Sequence, residues 1–179
     1  MNGYYELLGL ERKLSLDTAE LQRRFYERSR EWHPDKFARK SEAERQQALD
    51  NSSRLNDAYR TLRDPVKRAQ YLLSVEGFDV GEQRTKDVPA ELLEEVFELN
   101  MALEELRSGD ETAREPLEAA RSNFERMLAE ADRRMGTLFE AWDTTPARET
   151  LAELRGLLNR RKYIQNLIQE VDKELAPAA

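Results

Sequence analysis

The residues best suited to chemistry in this chain are three neighbours, His33, Pro34 and Asp35, followed by Lys36. Catalysis is a weak interpretation, because neighbouring residues in a turn seldom point at one substrate atom and the sequence places no serine or cysteine nucleophile beside them. Docking is the better interpretation, because the proline fixes the loop and Asp35 can accept a bidentate arginine from a partner protein. An alternative is that His33 only caps the end of the preceding helix through the helix dipole.

Composition narrows the function classes further. The chain has no cysteine and a single histidine. These counts remove disulfides and thiolate metal sites, and they leave no second imidazole for a metal centre or a proton relay. An enzyme, such as a histidine-dependent hydrolase, is therefore the least supported hypothesis. We expect no cofactor and no bound metal.

Charge is divided unevenly along the chain. Residues 1–76 hold 15 lysines and arginines against 13 carboxylates, whereas residues 77–179 hold 14 against 23. An acidic C-terminal half repels phosphates, which argues against nucleic acid as the main partner. The first residues lack the basic start and apolar run of a signal peptide, and no stretch approaches the ~20 apolar residues of a membrane span. We expect a cytoplasmic protein that does not contact a membrane.

Helices on either side must position the loop that contains His33. The sequence predicts four helices in its first part, at Tyr4–Leu10, Thr18–Trp32, from the cap Ser41 to about Arg63, and from Val66 to about Val75. Capping signals support two of them, since an aspartate at 17 and a serine at 41 each precede a glutamate by three residues. The second and third helices form an antiparallel hairpin whose loop contains Pro34.

Beyond the hairpin, residues 77–88 contain two glycines, several charges and no apolar period, which predicts a linker. Three helical patterns follow, at Pro89–Arg107, Thr112 to about Trp142, and Pro146–Leu175, the last one opened by Thr145 and Pro146 as cap and first-turn proline. Their apolar stripes should close into a bundle. The predicted fold class is all-α, with an N-terminal domain at 1–76 and a three-helix domain at 89–179.

The helix Pro89–Arg107 carries two apolar stripes. One seam comprises Leu92, Val96, Leu99, Leu103 and Leu106, and the second stripe, about 140° around the helix, comprises Leu93, Phe97 and Met101. Glu94, Glu98 and Glu105 border the second stripe, as expected for a protein-binding surface. The alternative is that two neighbouring helices cover both stripes, and the sequence does not decide between these interpretations.

The N-terminal part resembles the J-domain of DnaJ-type co-chaperones over about residues 3 to 76. YYELLGL begins it, HPDK lies between the two antiparallel helices, and LNDAYRTLRDP closes the third helix. Three further features make the chain similar to the HscB family of iron-sulfur assembly co-chaperones. They are the HPDKF loop, the RAQYLLSVEGFD stretch at Arg68–Asp79 and an acidic three-helix C-terminal domain.

This resemblance implies a co-chaperone that stimulates the ATPase of an HscA- or DnaK-type chaperone and delivers the scaffold protein IscU to it, assisting iron-sulfur cluster assembly and transfer. Asp35 would engage an arginine of the chaperone's nucleotide-binding domain. The residues implied to contact the chaperone are His33, Pro34, Asp35, Lys36, Arg23, Arg24, Tyr26 and Arg30. Those implied to contact the scaffold are Leu93, Phe97, Glu98, Met101, Glu105 and Tyr163. The alternative is a general J-protein with a different client or a dimerising C-terminal bundle, and we expect a monomer or weak dimer.

Overall fold

The computed structural model describes residues 3–79 and 88–177, and all regular structure within them is helical. The predicted all-α fold class is therefore confirmed. The chain divides into two compact units, Met1–Asp79 with Phe139–Ala147, and Val80–Leu138 with Arg148–Ala179. Most of the predicted linker, 77–88, lies outside the described residues, and the domain boundaries given above stay a prediction.

The first unit contains, in its described part, the α-helices α1 (Tyr4–Leu7), α2 (Thr18–Glu31), α3 (Glu42–Arg63) and α4 (Pro65–Val75). Their predicted caps are confirmed. Asp17 accepts the amide hydrogens of the first turn of α2, and the Ser41–Glu44 capping box is complete at the start of α3. Because each such cap contributes ~1 kcal/mol, the two helices of the hairpin begin at the residues that the sequence predicts.

Helix α1 is shorter than predicted. It was expected to continue to Leu10, but it ends at Leu7 because Gly9 adopts a φ of 66°. This left-handed conformation costs a glycine little and turns the chain out of the helix. The amide of Leu10 then donates to the carbonyl of Tyr5 at 2.9 Å, which closes the turn.

The core of the first unit lies between the hairpin and the two short helices. Leu21 on α2 and Leu55 and Leu62 on α3 are buried, and the ring of Phe25 stacks on Tyr59 with 4.3 Å between centroids. A fully buried leucine contributes ~1.5–3 kcal/mol. One face of helix α2 therefore packs in the core, and the opposite face is exposed and available for other contacts.

Long-range hydrogen bonds hold the loop before α2 in place. The side chain of Arg68, only 4% exposed, donates to the carbonyls of Leu62 at 2.7 Å and Leu14 at 2.6 Å. Asp143, from the 139–147 segment of the same unit, accepts the amide hydrogens of Leu14 at 2.7 Å and Ser15 at 2.9 Å. Desolvation lowers the pKa of the Arg68 guanidinium. The sequence did not predict this arrangement, because its members are far apart along the chain.

The second unit contains α5 (Leu93–Arg107), most of α6 (Arg114–Thr144) and α7 (Arg148–Leu175). Short 3₁₀ turns at Ala90–Leu92 and Glu111–Ala113 precede α5 and α6, where the sequence predicted continuous helix. The predicted start of the last helix is wrong. Thr145 and Pro146 lie in the turn, and α7 begins two residues after the proline.

Ion pairs between neighbouring elements show in which direction each helix of the second unit runs. Arg160 lies 3.8 Å from Glu91 and Arg107 lies 2.8 Å from Glu174, so α5 and α7 run parallel. Arg161 bonds Asp132 at 2.6 Å and Arg121 bonds Asp172, so α6 runs antiparallel to α7. One buried cluster of the bundle core comprises Leu92, Val96, Leu99, Leu103, Leu117, Phe124, Ile164, Leu167 and Val171. Exposed ion pairs contribute only ~0–1 kcal/mol each, so the apolar core provides most of the stability.

Candidate functional site

The loop between α2 and α3 forms a short 3₁₀ turn, Pro34–Phe37, where the sequence predicted only an irregular loop. His33 precedes the turn in an extended conformation, and its Nδ1 accepts the amide hydrogen of Asp35 at 3.2 Å. The carbonyl of His33 accepts from the amide of Lys36 at 3.0 Å. The imidazole therefore caps the turn that follows it, and not the end of α2 as the alternative interpretation held.

The carboxylate of Asp35 is an exposed charged group of this loop. Its side chain is 92% exposed, and within the described residues its only partner at ion-pair distance is the imidazole of His33, at 3.6 Å from Nδ1. A carboxylate in this position keeps both oxygens available for a bidentate hydrogen bond from an arginine. The backbone of the turn, rather than any side-chain packing, determines where it points.

A shallow groove of about 560 Å³ follows the exposed face of α2 down to this loop. It is lined by Ala19, Gln22, Arg23, Tyr26, Ser29, Arg30 and His33. The structure therefore brings three of the four predicted helix residues, Arg23, Tyr26 and Arg30, onto one surface with the loop. Ala19, Gln22 and Ser29 were missed, although their spacing of three to four residues from the predicted positions marks the same helix face.

The fourth predicted helix residue, Arg24, lies elsewhere. It pairs with Glu20 at 3.6 Å and lines a different hollow, which it shares with Gly9 and Asp17. Adjacent positions on a helix are about 100° apart, so Arg23 and Arg24 face different directions. A role for Arg24 in the same contact stays a prediction that this geometry does not favour.

The two apolar stripes of α5 have different surroundings. The seam that contains Leu92, Leu99 and Leu103 is buried in the bundle core, whereas Leu93, Phe97 and Met101 are 56%, 65% and 49% exposed. The alternative in which neighbouring helices cover both stripes is therefore wrong. We call the three exposed side chains the α5 patch.

Carboxylates border the α5 patch on one side. Glu94, Glu98 and Glu105 are all exposed, and they lie around the helix between the patch and the face that packs on α6. Between Glu98 and α6 there is also a groove of about 360 Å³, lined partly by Ala102, Ala119 and Phe124. No periodic pattern in the sequence predicts this groove, because the groove depends on the spacing of two helices.

Tyr163 lies on α7 at the level of the first turn of α5. Arg160, three residues earlier, pairs with Glu91, and the parallel direction of the two helices places Tyr163 farther along beside α5. Its ring is half-buried against the core cluster of the bundle, and desolvation followed by the charge of Glu170 raises the pKa of its hydroxyl. It is thus more enclosed than the α5 patch.

Within residues 3–79 and 88–177, no group of three or more acidic or histidine side chains is arranged to hold a metal ion. In the same ranges none of the helices has the length and apolar character that crossing a bilayer requires.

Comparisons with known proteins match the N-terminal and C-terminal parts of the chain to two different domain families. The family model of the DnaJ domain matches residues 3–71, and that of the HSCB C-terminal oligomerisation domain matches residues 88–172. The structure of the chaperone HscB from Vibrio cholerae is similar at 30% identity and a TM-score of 0.62, over 97% of this chain and 96% of that one. The crystal structure of the human co-chaperone protein HscB matches at 26% identity and a TM-score of 0.70, over 99% of this chain and 84% of that one.

Proposed function

Because the chain belongs to the HscB family of J-domain co-chaperones, we propose that its first unit stimulates ATP hydrolysis by an HscA- or DnaK-type chaperone while its second unit presents an IscU-type scaffold protein. The pair of activities would assist iron-sulfur cluster assembly and transfer in the cytoplasm. A J-domain implies a DnaK-type chaperone as partner, and the finer assignment rests on the two surfaces described above. The observation that carries it is the exposed Asp35 carboxylate at the end of an arginine-bearing groove.

On the chaperone side, the turn presents Asp35 as an acceptor and α2 presents cations. Arg30 has no ion-pair partner among the described residues, while Arg23 is shared between Glu20 and Glu27 at 3.7 and 3.6 Å. Positive charge of this kind steers a protein toward an acidic surface, and a desolvated carboxylate–arginine contact then determines the lifetime of the complex. Helix α2 supports the encounter and Asp35 supports the specific contact.

On the scaffold side, the α5 patch supplies the apolar centre that a protein interface needs. Phe97 is the most exposed large apolar side chain that the structure describes, and aromatic residues of this kind often contribute most of the binding energy of an interface. The carboxylates of Glu98 and Glu105 would pair with basic residues of the scaffold at the rim. Tyr163 would extend the contact onto α7.

Steady-state ATP hydrolysis by the purified chaperone tests the first activity. Asp35→Asn removes the charge but keeps the shape, and we expect stimulation to fall by about 30-fold or more, the factor that a loss of ~2 kcal/mol gives. Asp57→Asn, on the exposed surface of α3, is the matched control and should stimulate normally. Stimulation by Asp35→Asn at the level of this control would exclude the loop as the activating element.

Binding of a purified IscU-type scaffold tests the second activity. Phe97→Ala should weaken binding by about 30-fold, as a central aromatic contact does, while changing the unfolding free energy by less than ~0.5 kcal/mol because the ring is already 65% exposed. Leu49→Ala, 49% exposed on α3, is the control. A large loss of thermal stability in Phe97→Ala would instead assign the ring to the core.

A second candidate is a J-protein whose C-terminal bundle dimerises or binds another client. The exposed α5 patch favours it, and so does the similarity of residues 88–172 to the HSCB C-terminal oligomerisation domain. Measuring ATP hydrolysis with and without the scaffold, together with the mass of the chain in solution, separates the two. Synergy between this protein and the scaffold supports the first proposal. The second is supported if the stimulation does not depend on the scaffold and if the chain forms a dimer that Phe97→Ala dissociates.

A further inference from the structure

The capping bond between His33 and Asp35 indicates which ring nitrogen carries the proton when the imidazole is neutral. Nδ1 accepts the amide hydrogen of Asp35 at 3.2 Å, and only a ring nitrogen without a proton can accept. A neutral imidazole carries one proton, which must then be on Nε2. The ring is 58% exposed, so Nε2 can donate to water or to a partner while Nδ1 stays bonded to the turn.

We propose that His33 is a positioning residue whose neutral imidazole, protonated on Nε2, caps the Pro34–Phe37 turn and thereby holds the Asp35 carboxylate outward for the chaperone. The inference rests on the proposed function of Asp35. In this role His33 keeps Asp35 in the conformation that can bind the chaperone.

The turn needs such a cap because little else stabilises it. It spans four residues, and Pro34 has no amide hydrogen to donate. The first amide of a helical turn lacks a partner within the turn, and here that amide belongs to Asp35. The Asp35 side chain, 92% exposed, gains no packing that would hold it. Two hydrogen bonds to His33, one to Nδ1 and one to its carbonyl, are therefore the main restraints on this end of the turn.

The other tautomer, with the proton on Nδ1, would withdraw the Asp35 carboxylate from a partner. Asp35 Oδ2 lies 3.6 Å from Nδ1, close enough for a proton on Nδ1 to be donated to the carboxylate after a small rotation. The amide of Asp35 would then lose its acceptor, and one carboxylate oxygen would be occupied within the chain. The same nitrogen cannot accept from the amide and donate to the carboxylate, so the tautomer decides whether Asp35 is presented.

Nitrogen NMR can observe the tautomer directly, because His33 is the single histidine of the chain. Full-length protein with ¹⁵N-labelled imidazole gives one pair of ring nitrogen signals, and two-bond couplings to the ring protons assign them. In the neutral ring we expect an unprotonated Nδ1 and a protonated Nε2. A predominant proton on Nδ1 would overturn the proposal.

Two substitutions separate the cap from the ring itself. His33→Asn places a carbonyl oxygen the same number of bonds from the backbone as Nδ1, and asparagine is a favoured cap. His33→Gln places its carbonyl oxygen one bond farther out, at the position of Nε2. If the cap matters, His33→Asn should stay within about threefold of the wild type in the concentration for half-maximal ATPase stimulation. For His33→Gln that concentration should rise about fivefold, the factor that loss of ~1 kcal/mol of capping gives.

Hydrogen exchange of the Asp35 amide in both variants provides the second measurement. We expect protection in His33→Asn close to that of the wild type, and faster exchange in His33→Gln. Equal impairment of the two variants, or better stimulation by His33→Gln, would overturn the inference. Failure of the proposed function would be seen in a different variant. If Asp35→Asn stimulated the chaperone normally, the proposed function would be wrong, whatever the His33 variants do.

Discussion

Replacing Arg68 with methionine should destabilise the first unit by about 2–3 kcal/mol. The guanidinium donates to the carbonyls of Leu62 and Leu14 from a side chain that is 4% exposed. Leaving a buried hydrogen-bonding group without its partner costs ~1–3 kcal/mol for each group. Methionine has a similar length and avoids the cost of burying a charge, which places the expected loss toward the lower end of that range.

Urea unfolding followed by tryptophan fluorescence measures this loss in the first unit alone. Both tryptophans of the chain, Trp32 and Trp142, belong to that unit. With a slope of ~1–1.5 kcal/mol per molar urea for a domain of this size, the Arg68→Met midpoint should fall by roughly 2 M. Circular dichroism, which reports on the helices of both units, shows whether the second unit unfolds separately.

Lys67→Met is the matched control for this measurement. The residue precedes Arg68 on α4 but is exposed, so its replacement should change the unfolding free energy by less than ~0.5 kcal/mol. If Arg68→Met and Lys67→Met unfold at the same urea concentration, the two buried hydrogen bonds do not hold the loop and the reasoning is refuted.

Three further changes test individual contacts of the first unit. Asp143→Asn replaces an acceptor of two loop amides, including that of Leu14, with a group that has one acceptor oxygen. It should lower the unfolding free energy, measured by urea unfolding and tryptophan fluorescence, by ~1–2 kcal/mol. Gly9→Ala forces alanine into a φ of 66° and should cost ~1–2 kcal/mol by the same assay. Hydrogen bonds from Ser41 lower the pKa of Glu44. The stabilising effect of these hydrogen bonds is therefore present above the ordinary pKa of a glutamate and is lost as the pH falls through the lowered pKa of Glu44. The melting temperature of Glu44→Gln should therefore depend less on pH in acid.

The sequence alone predicted the parts of the fold that depend on hydrogen bonds between near neighbours. The caps at Asp17 and Ser41, the proline that ends α2 and the periods of the apolar stripes all act within about one helical turn, so they can be recognised without the rest of the chain. The same holds for the place of the Asp35 loop in a helical hairpin. The ends of the helices were predicted less accurately, as the start of α7 two residues after Pro146 shows.

The family resemblance supplied what the spacing of residues could not. Chemistry and spacing favoured docking over catalysis at His33-Pro34-Asp35, but they did not name a partner. The matches to the DnaJ domain and to HscB structures confirm the family. The contacts of individual residues, such as Glu105 with a scaffold, stay predictions.

Tertiary structure decided which groups meet. Only the packing of three helices determines that Leu99 is buried and Phe97 exposed, since both lie on regular apolar stripes. Likewise, the contacts of Arg68 with Leu14 and of Asp143 with the same loop join positions 54 and 129 residues apart. Local patterns cannot encode such pairs, because the free energy that forms them comes from the collapse of the whole unit and not from any one segment.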